Sequence, residues 1–310
     1  MRWLDHRDAM PAPLRGAIIA LGNFDGFHRG HQAVAGEAIR WARAEGRPAI
    51  VATFDPHPVR FFKPDVPPFR LTTLEQRHEL YLAAGAAAML VFHFDADLAG
   101  TSADDFASGI LLDHLGAHGV VTGEDFTYGR GAAGNVAHLR SYADRLQVRT
   151  MGAVLDAGAP VSSSRIRAAL RAGDPQEAAR LLTRPFAIRG IVEHGDKRGR
   201  TIGYPTANLA LESYLRPAYG IYAVTGRILA TGQLLRGAAN LGVRPQFEPP
   251  KELLEPHFFD FAGDLYGQEI EVAFHHFLRA EARFDTLEQL TQQMERDCAE
   301  ARRLLSGVAQ

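Results

Sequence analysis

The sequence contains a single cysteine, Cys298, among 310 residues. One cysteine excludes an internal disulfide and any zinc site built from several cysteines, and such sparse use is typical of proteins from a reducing compartment. We interpret Cys298 as a packing residue or a bystander.

Long hydrophobic runs and an excess of one charge are also lacking. No stretch approaches the ~20 apolar residues of a membrane span, and residues 1–7 are charged, unlike a signal peptide. The 34 basic and 36 acidic residues leave a net charge of −2, so no overall field attracts nucleic acid or membranes. We expect a cytoplasmic protein that binds neither, and we leave a weak homo-oligomer open.

The sequence does contain a glycine-punctuated turn, GNFDGFHRGH, at residues 22–31. An apolar run at residues 17–21 precedes it, and a helical pattern follows it. Because a helix start exposes unpaired N–H groups and glycines allow close approach, the pattern predicts a phosphate site at which His28 and His31 contribute charge. The alternative, a surface turn with two incidental histidines, leaves both without a role.

Apolar strands and helical patterns alternate through the first half. The predicted strands are 17–21, 49–54, 88–94, 119–123 and 148–155, and the predicted helices are 32–44, 73–84, 102–115, 135–145, 168–172 and 175–182. This alternation predicts βαβ units and a mainly parallel sheet.

After Pro185 the pattern changes to short β-type stretches. These are residues 186–192, 220–226, 234–240, 255–261 and 269–277. They predict a small antiparallel barrel. A terminal helix over 286–305 is expected to pack on it through Leu287, Leu290, Met294, Cys298 and Ala301. We place the domains at residues 1–184 and 185–310.

Two further segments of the first domain suit ligand binding. Prolines on both sides of His57 predict an extended loop at the carboxyl end of a strand, where open α/β sheets bind ligands. Serines 162–164 at a helix start, with Arg167, suit a polyphosphate. A plain loop histidine and a simple helix cap are the alternatives.

The second half contains a basic loop, GDKRGR at residues 195–200, followed by Thr206 and Asn208 on an extended segment. Alternate residues of such a segment point the same way, and two neutral oxygens could hold Mg²⁺ together with substrate phosphates. Glu255 lies among apolar residues and suits a general base, although a structural salt bridge explains it equally well.

In their order these motifs resemble the bacterial bifunctional riboflavin kinase/FMN adenylyltransferase (FAD synthetase) family over nearly the whole chain. Residues 22–31 resemble its G-x-F-D-G-x-H-x-G-H box, 54–58 its F-x-P-H-P loop, 162–167 its S-S-T-x-I-R box, and 195–208 its G-D-x-x-G-R and G-x-P-T-A-N motifs. Residues 264–267 and 277–284 match later kinase motifs.

The resemblance implies an α/β fold: a Rossmann-like nucleotidyltransferase domain with a parallel sheet, then a six-stranded antiparallel β-barrel kinase domain with a C-terminal helix. The C-terminal module would phosphorylate riboflavin with ATP to FMN. The N-terminal module would adenylylate FMN with a second ATP, giving FAD and pyrophosphate. Mg²⁺ is the implied cofactor.

The resemblance also implies residue roles. In the adenylyltransferase, the catalytic residues would be His28 and His31. ATP would be bound by Gly22, Asn23, Phe24, Asp25, Gly26, Gly30, Ser164 and Arg167. FMN would be bound by His57, Asp125, Phe126 and Tyr128. In the kinase, the base would be Glu255, and the metal would be held by Thr206 and Asn208. Phosphates would be bound by Gly195, Lys197, Gly199 and Arg200. The flavin would be bound by Arg279 and Glu281.

The chain departs from the family pattern at several positions. Ser164 stands where threonine is common, and Pro256 follows Glu255. In the loop at residues 128–135, which resembles F-G-x-x-R-x-G-D, Ala132 replaces the arginine and Asn135 the aspartate. Ala132 and Asn135 favour the alternative of a protein with only the kinase half active. A non-catalytic flavin- or nucleotide-sensing module is a further alternative, from a different functional class.

Overall fold

The computed structural model describes residues 3–194, 204–244 and 251–308. The chain divides into two compact units. The first comprises residues 1–67 and 72–162, and the second comprises 68–71 and 163–310. The boundary at 184/185 stays a prediction.

The first unit contains a six-stranded sheet in which all paired strands are parallel. Its strands are β1 (Leu4–Asp5), β2 (Ile18–Leu21), β3 (Ala49–Asp55), β4 (Ala88–His93), β5 (Gly119–Gly123) and β6 (Gln147–Met151). Their order is β1-β4-β3-β2-β5-β6. The predicted parallel sheet is therefore confirmed.

Both faces of this sheet are buried, as the continuous apolar runs of its strands require. Along β2, Ile19 and Leu21 belong to one hydrophobic cluster, whereas Ile18 and Ala20 belong to another. Because successive strand residues point to opposite faces, each cluster fills one side of the sheet.

Helices of the first unit follow the strands. They are α1 (Arg29–Ala44), α2 (Pro58–Phe62), α3 (Leu74–Ala83), α4 (Ala96–Gly100), α5 (Asp105–His114) and α6 (Val136–Arg140), with 3-10 turns at Ala12–Leu14 and Arg130–Ala132. Two small hairpins pair Thr127–Tyr128 with Gly134–Asn135 and Leu155–Asp156 with Ala159–Pro160.

Several predicted boundaries were wrong. A helix begins at Pro58, where an extended loop was expected, because proline costs nothing at a first helical position whose N–H is unpaired. Helix α5 is wound as a π-helix. The helix predicted over 135–145 ends at Arg140, and the strand predicted to Leu155 ends at Met151.

The second unit contains a six-stranded antiparallel barrel. Its strands are β7 (Phe186–Ile191), β8 (Leu209–Ala210), β9 (Gly220–Ile228), β10 (Leu234–Arg244), β11 (Lys251–Phe258) and β12 (Glu269–Arg279), in the order β7-β12-β9-β10-β11-β8. An antiparallel bridge between Glu193 and Asn208 nearly closes the barrel. The predicted barrel is confirmed, although β8 was not anticipated.

Among the described residues of this unit, the helices are α7 (Ser163–Arg171), α8 (Pro175–Leu182) and α9 (Leu287–Leu304). The terminal helix packs against the barrel through Ala301 and Leu305, which join Ala223 and Ala238 in one apolar cluster. The expectation for Leu287 was wrong, because its side chain is 61% exposed at the start of α9.

Candidate active sites

The turn that follows β2 adopts a strained path before α1 begins. Phe24 (φ 46°), Gly26 (φ 85°) and Phe27 (φ 42°) all lie in the left-handed region. Only glycine enters this region freely, so the two phenylalanines must be held there by their surroundings. At Gly22 an added Cβ would lie 2.8 Å from the Phe24 ring, so the turn also needs glycine there for space.

The two predicted histidines lie together at the N-terminus of α1. His28 is the residue that precedes the helix, and its Nδ1 accepts a hydrogen bond from His31 N at 3.4 Å. Their rings stack with centroids 3.6 Å apart. A Cβ at Gly30 would lie 3.1 Å from the His28 ring and 3.3 Å from Val161 O. Both imidazoles thus lie at a helix N-terminus, where unpaired N–H groups and partial positive charge favour an anion.

Asn23 contributes an unsatisfied acceptor to the same turn. Its Oδ1 is buried and has no hydrogen-bond partner within the described residues. Its backbone carbonyl accepts a hydrogen bond from Thr53 Oγ1 at 2.7 Å. Since buried polar atoms are normally paired, this oxygen suits a donor group of a ligand.

The sheet order explains why several predicted ligand residues follow neighbouring strands. Strand β2 lies between β3 and β5, and the chain proceeds outwards in opposite directions on its two sides. In open α/β sheets, ligands bind at such a switch point beyond the carboxyl ends of the strands. His28 follows β2, His57 follows β3, and residues 124–128 follow β5.

His57 and Asp125 occupy different settings at this edge. His57 caps α2, because its Nδ1 accepts a hydrogen bond from Val59 N at 3.1 Å. Asp125 is exposed in the loop after β5. Their predicted contact with FMN stays a prediction.

Tyr128 is buried within an aromatic group. Its ring lies 5.1 Å from Phe106 and 5.8 Å from Phe126, and burial raises the pKa of its phenol. Its hydroxyl is 2.5 Å from Nδ1 of His138. Asn135, one of the departures from the family pattern, accepts a hydrogen bond from His138 N at 3.0 Å. Asn135 therefore caps the helix that presents this partner of Tyr128.

Ser164 and Arg167 lie in the second unit on α7. Arg167 Nε donates to Phe69 O at 2.9 Å, and its guanidinium lies 5.0 Å from the centre of the Phe69 ring. The helix predicted over 168–172 is present but begins at Ser163, so it includes two of the three serines. The role of Ser164 and Arg167 in ATP binding stays a prediction.

A cavity of about 370 Å³ opens in the second unit between the barrel and α9. It brings together four of the predicted kinase residues. These are Thr206, Glu255, Arg279 and Glu281. Asn208 is buried, and its carbonyl accepts a hydrogen bond from Glu193 N at 2.9 Å. The predicted phosphate residues Gly195, Lys197, Gly199 and Arg200 lie outside the described residues.

Glu255 is held by two residues of the neighbouring strand β10. Its carboxylate forms an ion pair with Arg244 and accepts a hydrogen bond from Asn240 Nδ2 at 3.4 Å. The salt bridge considered from the sequence is thus present, and both of its residues line the cavity. Burial lowers the pKa of Arg244. Asn240 Oδ1 is buried and unpaired within the described residues.

Arg279 is oriented by the terminal helix. Its Nη2 donates to Asp297 Oδ2 at 2.7 Å, and its Nε lies 3.0 Å from both carboxylate oxygens. Asp297, itself 8% exposed, also accepts a hydrogen bond from Gln293 Nε2 at 2.9 Å. Next to it, Cys298 lines the cavity, and burial raises the pKa of its thiol to about 11.

Sequence reasoning missed Asn240, Arg244 and Asp297 around this cavity. Asn240 stands within the apolar run of β10, so a polar residue on a barrel strand was the available signal. Sequence reasoning also missed Arg77 of the first unit. This residue lies on the same face of α3 as Leu74 and Tyr81.

Comparisons with known proteins agree with the two units. A family model described as FAD synthetase matches residues 10–165, and one described as riboflavin kinase matches residues 182–305. The chain is 41% identical to the bifunctional riboflavin kinase/FMN adenylyltransferase of Pseudomonas fluorescens over 300 residues, 95% of each chain. It belongs to this family. The enzyme of the same name from Escherichia coli K12 is 37% identical over 294 residues, 94% of this chain and 93% of that protein.

The structure resembles a solved structure over nearly the whole length of both chains. A crystal structure described as a macrolide-efflux protein from Streptococcus pneumoniae matches with a TM-score of 0.86 and 31% identity, covering 98% of this chain and 99% of that one. In the part of this chain that the structure describes, no helix has the length and apolar character to cross a membrane.

Proposed function

We propose that this chain makes FAD in two steps at two separate sites. Riboflavin and ATP give FMN and ADP at the cavity between the barrel and α9, and FMN and a second ATP give FAD and pyrophosphate at the turn that follows β2. The observation that carries the proposal is the stacked pair His28 and His31 at the N-terminus of α1, on the same chain as a cavity lined by Glu255 and Thr206.

In adenylyl transfer, an oxygen of the FMN phosphate attacks the α-phosphate of ATP, and pyrophosphate leaves. The attacking phosphate is already ionised at neutral pH, so no base is needed, and positioning and charge stabilisation supply the acceleration. His28 and His31 stabilise the charge that develops on the α-phosphate, together with the N–H groups at the start of α1. Ser164 and Arg167 support the departing polyphosphate.

In phosphoryl transfer, the riboflavin 5′-hydroxyl attacks the γ-phosphate, and Glu255 accepts the hydroxyl proton. The ion pair with Arg244 holds the Glu255 carboxylate at the cavity. Arg279, held by Asp297, and Glu281 contact the flavin.

We propose Mg²⁺ as the cofactor of this step. The described residues contain no group of three or more His, Cys, Asp and Glu side chains that could hold a metal. Thr206, which lines the cavity, and Asn208 fit an ion that retains waters and binds substrate phosphates. When bound, Mg²⁺ neutralises phosphate charge. We also propose a cytoplasmic protein whose partners are small molecules and which can form a weak homo-oligomer.

The test is incubation with riboflavin and Mg-ATP, followed by chromatographic separation of flavins. The wild-type chain should form FMN and then FAD. Replacing His28 and His31 by Ala should lower FAD formation at least ~100-fold, because oxyanion-type donors are worth that much each, and should spare FMN formation. E255Q should abolish FMN formation from riboflavin and spare FAD formation from added FMN.

Three outcomes would contradict the proposal. If either set of substitutions removes both activities from a folded protein, the two-site assignment is wrong. Added FMN that yields no FAD would leave only the kinase half active. Flavin binding without consumption of ATP would indicate a sensing protein.

A further inference from the structure

A buried network of charged and hydroxyl side chains contacts the turn that precedes His28 and His31. Its centre is Arg77 of α3, only 1% exposed, paired with Asp25 of the turn, only 2% exposed. Arg77 Nη2 donates to Asp25 Oδ1 at 3.0 Å. Two fully buried opposite charges must compensate each other closely, because either alone would be costly.

The same guanidinium holds two hydroxyl groups. Arg77 Nε donates to Thr72 Oγ1 at 3.2 Å, and Nη1 donates to Thr53 Oγ1 at 3.0 Å. Thr72 precedes α3, and Thr53 belongs to β3. A planar guanidinium with several donors can bridge three such partners at once, which an ammonium group cannot do with the same geometry.

Both threonines also form hydrogen bonds with residues of the turn. Thr53 Oγ1 donates to Asn23 O at 2.7 Å, and Gly26 N donates to Thr72 Oγ1 at 2.9 Å. Thr72 N also donates to Asp25 Oδ1 at 3.1 Å. The turn is therefore tied down at residues 23, 25 and 26, just before the chain reaches His28.

This attachment explains how the backbone of the turn keeps its conformation. The turn contains two phenylalanines with positive φ, a conformation that persists only where surrounding contacts enforce it. Arg77 and its partners supply such contacts on both sides of Phe24. Tyr81, one turn further along α3, packs its ring 4.9 Å from that of Phe27.

Resting on the proposed function, we propose that Arg77 is a positioning residue for adenylyl transfer. Through Asp25, Thr53 and Thr72 it sets the path of the turn, and so the place at which His28 and His31 meet the α-phosphate. Asp25 thereby serves as the anchor of the turn: its carboxylate is committed to Arg77 and Thr72, and a free carboxylate there would repel the phosphates of ATP.

The full-length protein allows a clean test because its two units report separately. Both tryptophans, Trp3 and Trp41, lie in the first unit, so tryptophan emission measures whether that unit is folded. Riboflavin phosphorylation reports on the second unit. FAD formation from added FMN and ATP is then expressed per folded molecule, with kcat and KM determined separately.

For R77M we expect kcat and kcat/KM of FAD formation to fall in parallel by about 100-fold, the loss that a misplacement of about 1 Å causes. R77K should recover part of that loss, since it keeps the charge. T53V, which removes one hydroxyl between Arg77 and Asn23, should lower kcat about fivefold. Riboflavin phosphorylation should stay unchanged in all three.

The double variant R77M/T53V provides a second measurement. If both residues act through the turn, its loss should be smaller than the product of the two single losses. L111A is the matched control, because Leu111 is a fully buried residue of the same unit outside the network. Its kcat per folded molecule should equal that of the wild type.

The inference is overturned if R77M and T53V keep the wild-type kcat per folded molecule, or if L111A loses as much as they do. Should R77M fail to fold, T53V and R77K decide between these results. A wild-type chain that makes no FAD from FMN overturns the proposed function and this inference together, whereas unchanged variants of an active wild type overturn this inference alone.

Discussion

Cys298 lines the cavity of the second unit next to Asp297, and burial raises the pKa of its thiol to about 11. Because only the thiolate reacts with alkylating agents, a raised pKa leaves less reactive species at neutral pH. At pH 8 we expect iodoacetamide to modify native Cys298 at least ~100-fold more slowly than the same residue in urea. Mass spectrometry of the alkylated protein measures both rates.

The native rate should rise with pH up to about 11, and C298S should remain unlabelled. An ordinary rate with a midpoint near pH ~8.5 would contradict the buried setting of the thiol.

The sequence predicts that His28 and His31 open a helix, and the structure places both, with stacked rings, at the N-terminus of α1. That they face one ligand stays a prediction. Arg77 was missed because helical spacing shows that it faces the core but not that its partner, Asp25, lies 52 positions away. An ion pair is one of the two explanations that the sequence allows for Glu255, yet nothing local in the sequence names Arg244 as its partner.

At the scale of elements, the turn at residues 22–28 and helix α1 together position His28 and His31. A substitution at Gly30 tests this. A Cβ at Gly30 would press on the His28 ring at 3.1 Å and on Val161 O at 3.3 Å. G30A should therefore lower FAD formation from FMN at least ~10-fold, taking about 1.4 kcal/mol per factor of ten, and leave riboflavin phosphorylation intact.

G36A on the same helix is the matched control, since its added Cβ would meet only the end of the Arg40 side chain, at 3.4 Å. Replacing a mid-helix glycine by alanine should raise the stability of the first unit by about 0.5–1 kcal/mol, measured by urea unfolding followed through tryptophan emission. Equal activity losses in G30A and G36A would show that the His28 contact is irrelevant.

Most elements could be predicted because their signals are local. Strand β3 and the helices α3 and α8 begin at, or within one residue of, the positions that the sequence predicts. The strands that were not predicted depend on contacts with residues distant in the sequence. Strand β1 has two residues and forms only by pairing with β4, and β8 forms only against β11.

At the scale of the whole molecule, strand order decides where the first site lies. The parallel sheet was predictable from the alternation of strands and helices, but the order β1-β4-β3-β2-β5-β6 was not, because it depends on which strands pair across the chain. That order places the turn after β2 at the switch point. Similarly, the barrel was predictable, whereas the cavity between it and α9 required the packed structure.

The central claim is that one chain performs two different phosphate transfers in sequence. It is tested most directly by supplying unlabelled riboflavin with ATP labelled either at the γ-phosphate or at the α-phosphate, and counting label in purified FAD. With the wild-type chain we expect one γ-derived and one α-derived phosphate per FAD molecule. When E255Q is given FMN, we expect α-derived label alone. FAD from riboflavin without γ-derived label, or without α-derived label, would contradict it.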